Sequence, residues 1–181
     1  MRVSVHNHHL GRPVGSVLLG VGFFVSAGLA AGLARFEGGV ACLWIANAML
    51  LAALIGLPMR RWWMPVLSAS VGGYLASAFF GIGPVAGLPV AVANMGEAIL
   101  SAALFHRWAR RDALGSVPQL GAFVLAAGII GPAAPMLPAA AIVAWSTGTP
   151  LMSNAVNWFL AHGLGALAFT PMFLMNFSGD A

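Results

Sequence analysis

The sequence predicts an all-α fold, a polytopic integral membrane bundle of about six transmembrane helices. Of its 181 residues, 60% are hydrophobic and only 7% are charged, whereas soluble domains carry about 25% charged residues. Too few polar side chains remain to cover a surface in water, and disorder would need low hydrophobicity and many charges. The apolar residues also fall into runs close to the length of about 20 residues that a helix needs to cross a bilayer.

Six apolar runs are predicted to be spans, and turn residues and charges separate them. They cover residues 14–33, 40–57, 63–80, 85–105, 120–143 and 153–175. A tail over residues 1–13 and a stub over 177–181 flank this membrane domain, residues 14–176. The first apolar run is long enough to be a full span, so no cleavable signal peptide is predicted.

The arginines predict the orientation of the bundle. With the N-terminus inside, the outer connections hold only Arg35, and the inner segments hold the other seven: Arg2, Arg12, Arg60, Arg61, Arg107, Arg110 and Arg111. Such a bias favours cytoplasmic N- and C-termini. The net charge is +4, and we interpret the arginines as topology-setting charges in these short connections. No nucleic-acid partner is predicted, because nucleic-acid binders cluster their basic residues on a wet face.

Two tryptophans beside Arg60 and Arg61 predict an interfacial anchor. Arg60, Arg61, Trp62 and Trp63 are consecutive, and tryptophan is enriched at the membrane–water boundary. We expect these four side chains to lie at the inner face of the membrane.

The fifth predicted span is interrupted by prolines. Pro132, Pro135 and Pro138 fall within seven residues, and each removes a backbone N–H donor. Because lipid cannot satisfy the freed carbonyls, this stretch must be packed inside the bundle. A kinked helix and a broken or re-entrant pair both fit the pattern.

Small residues recur at four-residue spacing in two spans. Gly28 and Gly32 do so in the first, and Ser68, Gly72 and Ala76 do so in the third. Such faces let helix backbones approach closely. We interpret them as internal packing of the bundle rather than as an interface with a partner.

Glu97 is the clearest polar group at membrane depth, in the middle of the fourth span. Asn94 precedes it by about one turn and Ser101 follows by one turn, so the three share a helix face. Ionisable groups within spans are costly and often mark a ligand, cation or proton site. A structural interhelical hydrogen bond is the other interpretation, and both stay open.

A second polar stripe lies in the sixth span. Asn154, Trp158 and His162 are spaced by four residues, and Asn157 flanks them. Trp158 is compatible with the aromatic belt at the membrane interface or with a binding site. His162 is compatible with a buried histidine that serves helix packing. Facing Glu97, His162 would form a pH-sensitive pair.

Asn47, one turn after Trp44 in the second span, is a third polar point. No phosphate loop, metalloprotease helix or nucleophile elbow occurs, so we expect no enzyme, no catalytic residues and no metal site. No cofactor is predicted, although a histidine on a helix, such as His162, is able to ligate haem or the magnesium of chlorophyll. The candidate ligand-binding residues are therefore Asn47, Asn94, Glu97, Asn157, Trp158 and His162.

Several of these residues occur together, in order, in a known family. The region 39–171 resembles the membrane-associated sensor domain of the first type, the MASE family. The matching stretches are residues 43–48 (LWIANA), 60–65 (RRWWMP), 94–98 (NMGEA), Trp158, 162–165 (HGLG) and 170–171 (TP).

The resemblance implies a sensory input module of the bacterial inner membrane. Such modules precede histidine kinase, diguanylate cyclase or phosphodiesterase domains. Carried over residue by residue, it points to Asn94, Glu97, Trp158 and Gly165. This chain has His162 where the family commonly has an acid, and it ends at Ala181, whereas the family has about eight spans and an output domain. A fragment, a stand-alone relative and a recruited subunit are all compatible with that end.

We therefore expect a sensor that binds a small ligand or a partner within the bundle and signals to a cytoplasmic kinase or cyclase. The expected partners are the lipid bilayer and a membrane or cytoplasmic protein. Two alternatives stay open. One is a structural subunit of a larger respiratory or photosynthetic complex, and the other is the small-molecule-binding subunit of an energy-coupling-factor-type transporter.

Overall fold

The chain is built from helices throughout the part that the structure describes. The computed structural model describes residues 13–33, 44–109 and 114–177. Within these ranges it shows no strand, and the predicted all-α class is confirmed. The main helices are α1 (Pro13–Leu33), α2 (Ile45–Gly56), α3 (Trp63–Phe80), α4 (Pro84–Trp108), α5 (Val117–Phe123), α6 (Gly131–Ala133), α7 (Met136–Thr147) and α8 (Leu151–Phe177). A 3₁₀ turn over Met59–Arg61 precedes α3, and a π-helical segment over Val124–Ile130 joins α5 to α6.

Four of the described helices are long and apolar enough to cross a membrane, as expected of a multi-pass membrane protein. They are α1, α3, α4 and α8, and the bent pair α5–α6 and α7 makes a fifth if it is one span. The remaining helix, α2, has only 12 residues. It begins at Ile45 because Trp44 has a non-helical backbone, with φ −104° and ψ 82°. The described helices therefore differ from the six full-length runs of the sequence at α2, whose expected first residues, 40–43, lie outside the described ranges.

The proline-containing segment has the least regular backbone of the described chain. It passes from α-helix to π-helix and then bends by 41° between α6 and α7. Pro132 and Pro135 lack the N–H that regular helical hydrogen bonding requires, which accounts for irregular geometry here. Glycines hold this segment close to its neighbours: a Cβ on Gly163 of α8 would lie 2.7 Å from the carbonyl oxygen of Gly128, and one on Gly131 would collide with Ser101 of α4.

Helices α1 and α3 pack closely along the predicted small-residue face. A Cβ on Gly20 would lie 2.7 Å from the carbonyl oxygen of Ser68, and a Cβ on Gly72 would collide with the carbonyl oxygen of Gly20. The expected internal packing is therefore confirmed for the stripe of α3. At Gly32 of α1 the neighbouring space is open, so that residue does not take part in a close crossing.

The short helix α2 lies at the centre of the bundle. Nine of its 12 residues are buried, and it contacts α8, α4 and α1. Leu50 and Leu54 are fully enclosed. Large apolar side chains of the longer helices, such as Val17 of α1 and Val71 of α3, are more than half exposed, as contact with lipid requires. This arrangement places Asn47, the polar residue of α2, inside the protein, where its side chain meets neighbouring helices.

Candidate functional site

The side chain of Glu97 is the centre of a buried hydrogen-bond network. Glu97 is 4% exposed on α4. Its Oε1 accepts a hydrogen bond from Nδ2 of Asn47 on α2 at 3.2 Å. Its Oε2 accepts from Nε1 of Trp158 at 3.2 Å and lies 2.7 Å from Nδ1 of His162, both on α8. One carboxyl group thus joins three helices.

Each oxygen of Glu97 accepts a hydrogen bond from a neighbouring helix. The Trp158 indole nitrogen only donates, and the Asn47 contact uses the amide nitrogen, which also donates. Asn47 is the third residue of α2, so the carboxyl group also lies beside the helix end that carries partial positive charge. The carboxyl group is therefore held by a donor at each oxygen and faces the imidazole of His162 at Oε2.

Aromatic rings hold the imidazole of His162 in place. Residues 158 and 162 are one helical turn apart, and their rings stack with centroids 4.1 Å apart and planes 21° apart. The ring of Trp44 also stacks on His162, at 5.5 Å and 4°. The two indoles therefore fix the ring plane and aim Nδ1 at Glu97.

Trp44 reaches α8 through a close backbone contact. Its N–H donates to the carbonyl oxygen of Ala161 at 3.2 Å. At Gly165 an added Cβ would lie 2.7 Å from the carbonyl oxygen of Trp44. Gly165 is therefore the residue that allows the start of α2 to approach α8, which gives a physical role to a position singled out from the sequence.

A cavity of about 60 Å³ adjoins the network. It extends towards the connection between α3 and α4, where Gly81 and Ile82 contribute to its wall. Its other walls include Trp44, Ser77, Val90, Asn94, Trp158 and His162. The network and the cavity share two side chains, Trp158 and His162. A molecule in the cavity would therefore contact residues that are bonded to Glu97.

Two buried polar atoms of the cavity wall lack a hydrogen-bond partner among the described residues. They are Nε1 of Trp44, a donor, and Oδ1 of Asn94, an acceptor. The backbone carbonyl of Asn94 is engaged, because it accepts from Nδ2 of Asn47 at 3.3 Å. The side chain of Asn94 is thus the polar feature of α4 that faces the cavity.

The structure brings together five of the six candidate residues and adds one. Asn47, Glu97, Trp158 and His162 share the network, and Asn94 joins through its backbone and the cavity. Asn157 is half-buried and takes no part in the network. The sequence analysis missed Trp44 as a site residue, although its position one turn before Asn47 was a usable signal.

Asn154 and Ser101 lie on the predicted helix faces but serve other contacts. Nδ2 of Asn154 donates to Oγ1 of Thr149 at 2.7 Å, at the connection between α7 and α8. Ser101 packs against Gly131 of the proline-containing segment. Helix periodicity therefore identified the correct faces, but not which polar residues on them meet Glu97.

The predicted interfacial anchor is divided by the structure. Trp63 is 61% exposed, whereas Trp62 is only 6% exposed, so the expectation of an anchor is wrong for Trp62. Its Nε1 donates to the carbonyl oxygens of Leu54 and Leu57 at 2.9 and 3.0 Å. The last carbonyls of α2 need donors from outside the helix, and Trp62 supplies one.

Of the charged residues expected at the inner face, Arg60 and Arg107 are exposed and Arg61 is half-buried. Arg110 and Arg111 lie outside the described ranges. His106 lies near the same end of the bundle, with Nε2 3.2 Å from the carbonyl oxygen of Leu54.

Comparison of the chain with protein-family models, with curated proteins and with solved structures finds no match. The resemblance to the MASE family stays a prediction. Within the described ranges, no group of three or more His, Cys, Asp or Glu residues could hold a metal ion. Ligation of haem or chlorophyll by His162 is untested, and it would use Nε2, because Nδ1 faces Glu97.

Proposed function

We propose that this chain is a MASE-like sensory input module of the bacterial inner membrane, which binds a small ligand or a partner within the bundle and passes the signal to a cytoplasmic kinase or cyclase. The observation that carries the proposal is the Glu97 network, which joins α2, α4 and α8 at the wall of a cavity. An ionisable group at membrane depth that faces the bundle interior is a functional site by default.

The network offers a route from the cavity to the far end of the bundle. An occupant of the cavity contacts α4 through Asn94, and it contacts α8 through Trp158 and His162. These helices have 25 and 27 residues, so a shift in their packing is carried along their whole length. Packed interfaces change between discrete arrangements rather than deforming continuously. In this mechanism the output domain responds to the changed positions of the helix ends.

The proposed topology has six spans with both termini in the cytoplasm. In it α2 crosses together with its flanking residues, and α5, the π-helical segment, α6 and α7 form one span broken at the prolines. The arginine bias supports this orientation. Reporter fusions test it: a periplasmic reporter should be active after residues 82 and 149 and inactive after residues 59 and 113. Activity after residue 113 would contradict the topology.

The size of the cavity favours a sensor over a transporter subunit. Sites for drug-sized ligands occupy roughly 300–1,000 Å³, well above the cavity of about 60 Å³ beside the network. A vitamin-sized substrate would need the helices to separate, whereas a small effector would not.

The deciding experiment is purification of the complex from native membranes in mild detergent, followed by mass spectrometry of its proteins. A kinase, cyclase or phosphodiesterase that co-purifies with the chain, or peptides of such a domain on a longer chain, is the expected result. A complex of fixed stoichiometry without a signalling protein would overturn the proposal in favour of a structural subunit.

A variant sharpens this experiment. In the purified complex, Glu97→Gln should change the kinase or cyclase activity, because its amide NH₂ replaces one accepting oxygen of the group that joins α2, α4 and α8. The matched control is Asn157→Ala on α8, a half-buried residue outside the network, which should leave that activity unchanged. Equal activities of the two variants and the wild type would contradict a role of the network in signalling.

A further inference from the structure

The cavity presents one hydrogen-bond donor and one acceptor that the described residues do not use. Nε1 of Trp44 can only donate, and Oδ1 of Asn94 can only accept. Asn94 is 1% exposed, and both side chains line the cavity. Buried polar atoms in native proteins are almost always hydrogen-bonded, so an occupant with a matching acceptor and donor completes this wall.

The wall also indicates the charge of the occupant. None of its lining residues is Asp, Glu, Lys or Arg. The only ionisable lining residue, His162, is already paired with Glu97. A charged occupant would lose its hydration without meeting an unpaired opposite charge, which is strongly unfavourable. An uncharged molecule avoids this penalty.

Size limits the occupant further. The cavity of about 60 Å³ is less than half of the roughly 150 Å³ that accommodates benzene in an engineered protein cavity. At the same ratio of volume to atoms, the cavity encloses about two or three non-hydrogen atoms, and because it is partly open a fourth can extend beyond it. The wall also contains the side chains of Ser77 and His162, but its indole rings and the aliphatic side chains of Val90 and Val143 suit a small apolar body.

We infer that this cavity binds a small uncharged molecule that carries both a hydrogen-bond acceptor, for Trp44, and a donor, for Asn94, as a short primary amide does. The inference rests on the proposed sensory function, for which it names the class of ligand. Binding brings α2 and α4 together through one molecule, next to the carboxyl group that already joins them.

The test uses the full chain in lipid nanodiscs, with acetamide and acetone as probes. Both have four non-hydrogen atoms, but acetone lacks the N–H donor. The NMR signal of the Trp158 indole N–H, assigned by its loss in Trp158→Phe, reports on the cavity wall. Acetamide should shift this signal saturably and bind about tenfold more tightly than acetone, since acetone leaves Asn94 unsatisfied.

Variants assign the effect to the two polar atoms. Trp44→Phe keeps an aromatic ring but removes the donor, and it should weaken acetamide binding about tenfold. Trp145→Phe is the matched control, because Trp145 is 72% exposed on α7 and should leave binding unchanged. Asn94→Leu should remove the preference for acetamide over acetone.

Equal, unsaturable shifts with both probes would overturn the inference and mean that the cavity holds only water. Unchanged acetamide binding in Trp44→Phe would overturn it too. Because binding is measured without any output domain, its failure is distinguishable from failure of the sensory function. A co-purifying kinase or cyclase with no amide binding would leave the function standing and refute the ligand class alone.

Discussion

Nδ1 of His162 lies 2.7 Å from Oε2 of Glu97, although 65 residues separate them along the chain. Both side chains are at least 96% buried. The contact joins α4 to α8, and the bond from Asn47 to the same carboxyl group adds α2. Removing one partner of such a buried pair is expected to destabilise the protein by more than the pair's net contribution to stability. The reason is that the other partner is left buried without a hydrogen-bond partner.

Glu97→Gln should lower the free energy of unfolding by about 1–3 kcal/mol, since its amide NH₂ replaces one accepting oxygen and opposes a donor of the network. Unfolding in mixed micelles, followed by circular dichroism, measures the change. Asn157→Ala, outside the network, should stay within about 0.5 kcal/mol of the wild type. A Glu97→Gln protein as stable as the wild type would show that the network does not hold the bundle together.

Trp158→Phe and Glu97→Gln should be energetically coupled, because each changes one partner of the same hydrogen bond. Contacting residues show coupling energies of about 0.5–3 kcal/mol in double-mutant cycles. The same cycle with Trp145→Phe in place of Trp158→Phe should be additive, since Trp145 is largely exposed. Additivity in both cycles would mean that the Trp158 bond contributes nothing measurable.

Gly72→Ala should destabilise the bundle by about 1–3 kcal/mol, because its Cβ would collide with the carbonyl oxygen of Gly20 and force α1 and α3 apart. Gly96→Ala is the control, since an added Cβ there meets nothing within 4 Å. That variant should be neutral or slightly stabilising, as alanine favours a helix over glycine. The opposite order of the two unfolding free energies would contradict the observed crossing.

Trp62→Phe should lower the free energy of unfolding by about 1–3 kcal/mol, because it leaves carbonyl oxygens at the end of α2 without their indole donor. The neighbouring variant Trp63→Phe changes an exposed ring and should have an effect below about 0.5 kcal/mol. Hydrogen exchange of the α2 amides provides a second measurement and should be faster in Trp62→Phe only. Equal effects of both variants would indicate a general role of interfacial aromatics instead.

The sequence predicted the helical class and the position of Glu97, because both depend on local patterns of apolar residues. It could not predict that His162 meets Glu97 whereas Asn154 does not, because that depends on the rotation of α8 against α4. Trp62 illustrates the same limit. An aromatic residue beside arginines is typical of an interface, but the indole of Trp62 is buried, where it donates to the carbonyl oxygens of Leu54 and Leu57.

The beginning of α2 differed from prediction for a similar reason. Residues 40–57 form an apolar run, but α2 begins at Ile45, after the non-helical backbone of Trp44. The N–H of Trp44 bonds instead to the carbonyl oxygen of Ala161. This contact between distant parts of the chain takes the place of a hydrogen bond within the helix. Hydrophobicity alone does not predict such a contact.

The shortness of α2 has a consequence for biogenesis. With 12 residues rising about 1.5 Å each, the helix is about 18 Å long, well under the roughly 30 Å of a hydrocarbon core. It cannot partition alone from the translocon into lipid as a stable span. Its enclosing partners include α8, which follows the other described helices in the chain and carries Ala161, whose carbonyl oxygen accepts from the N–H of Trp44. The centre of the bundle is therefore completed only after α8 has left the ribosome.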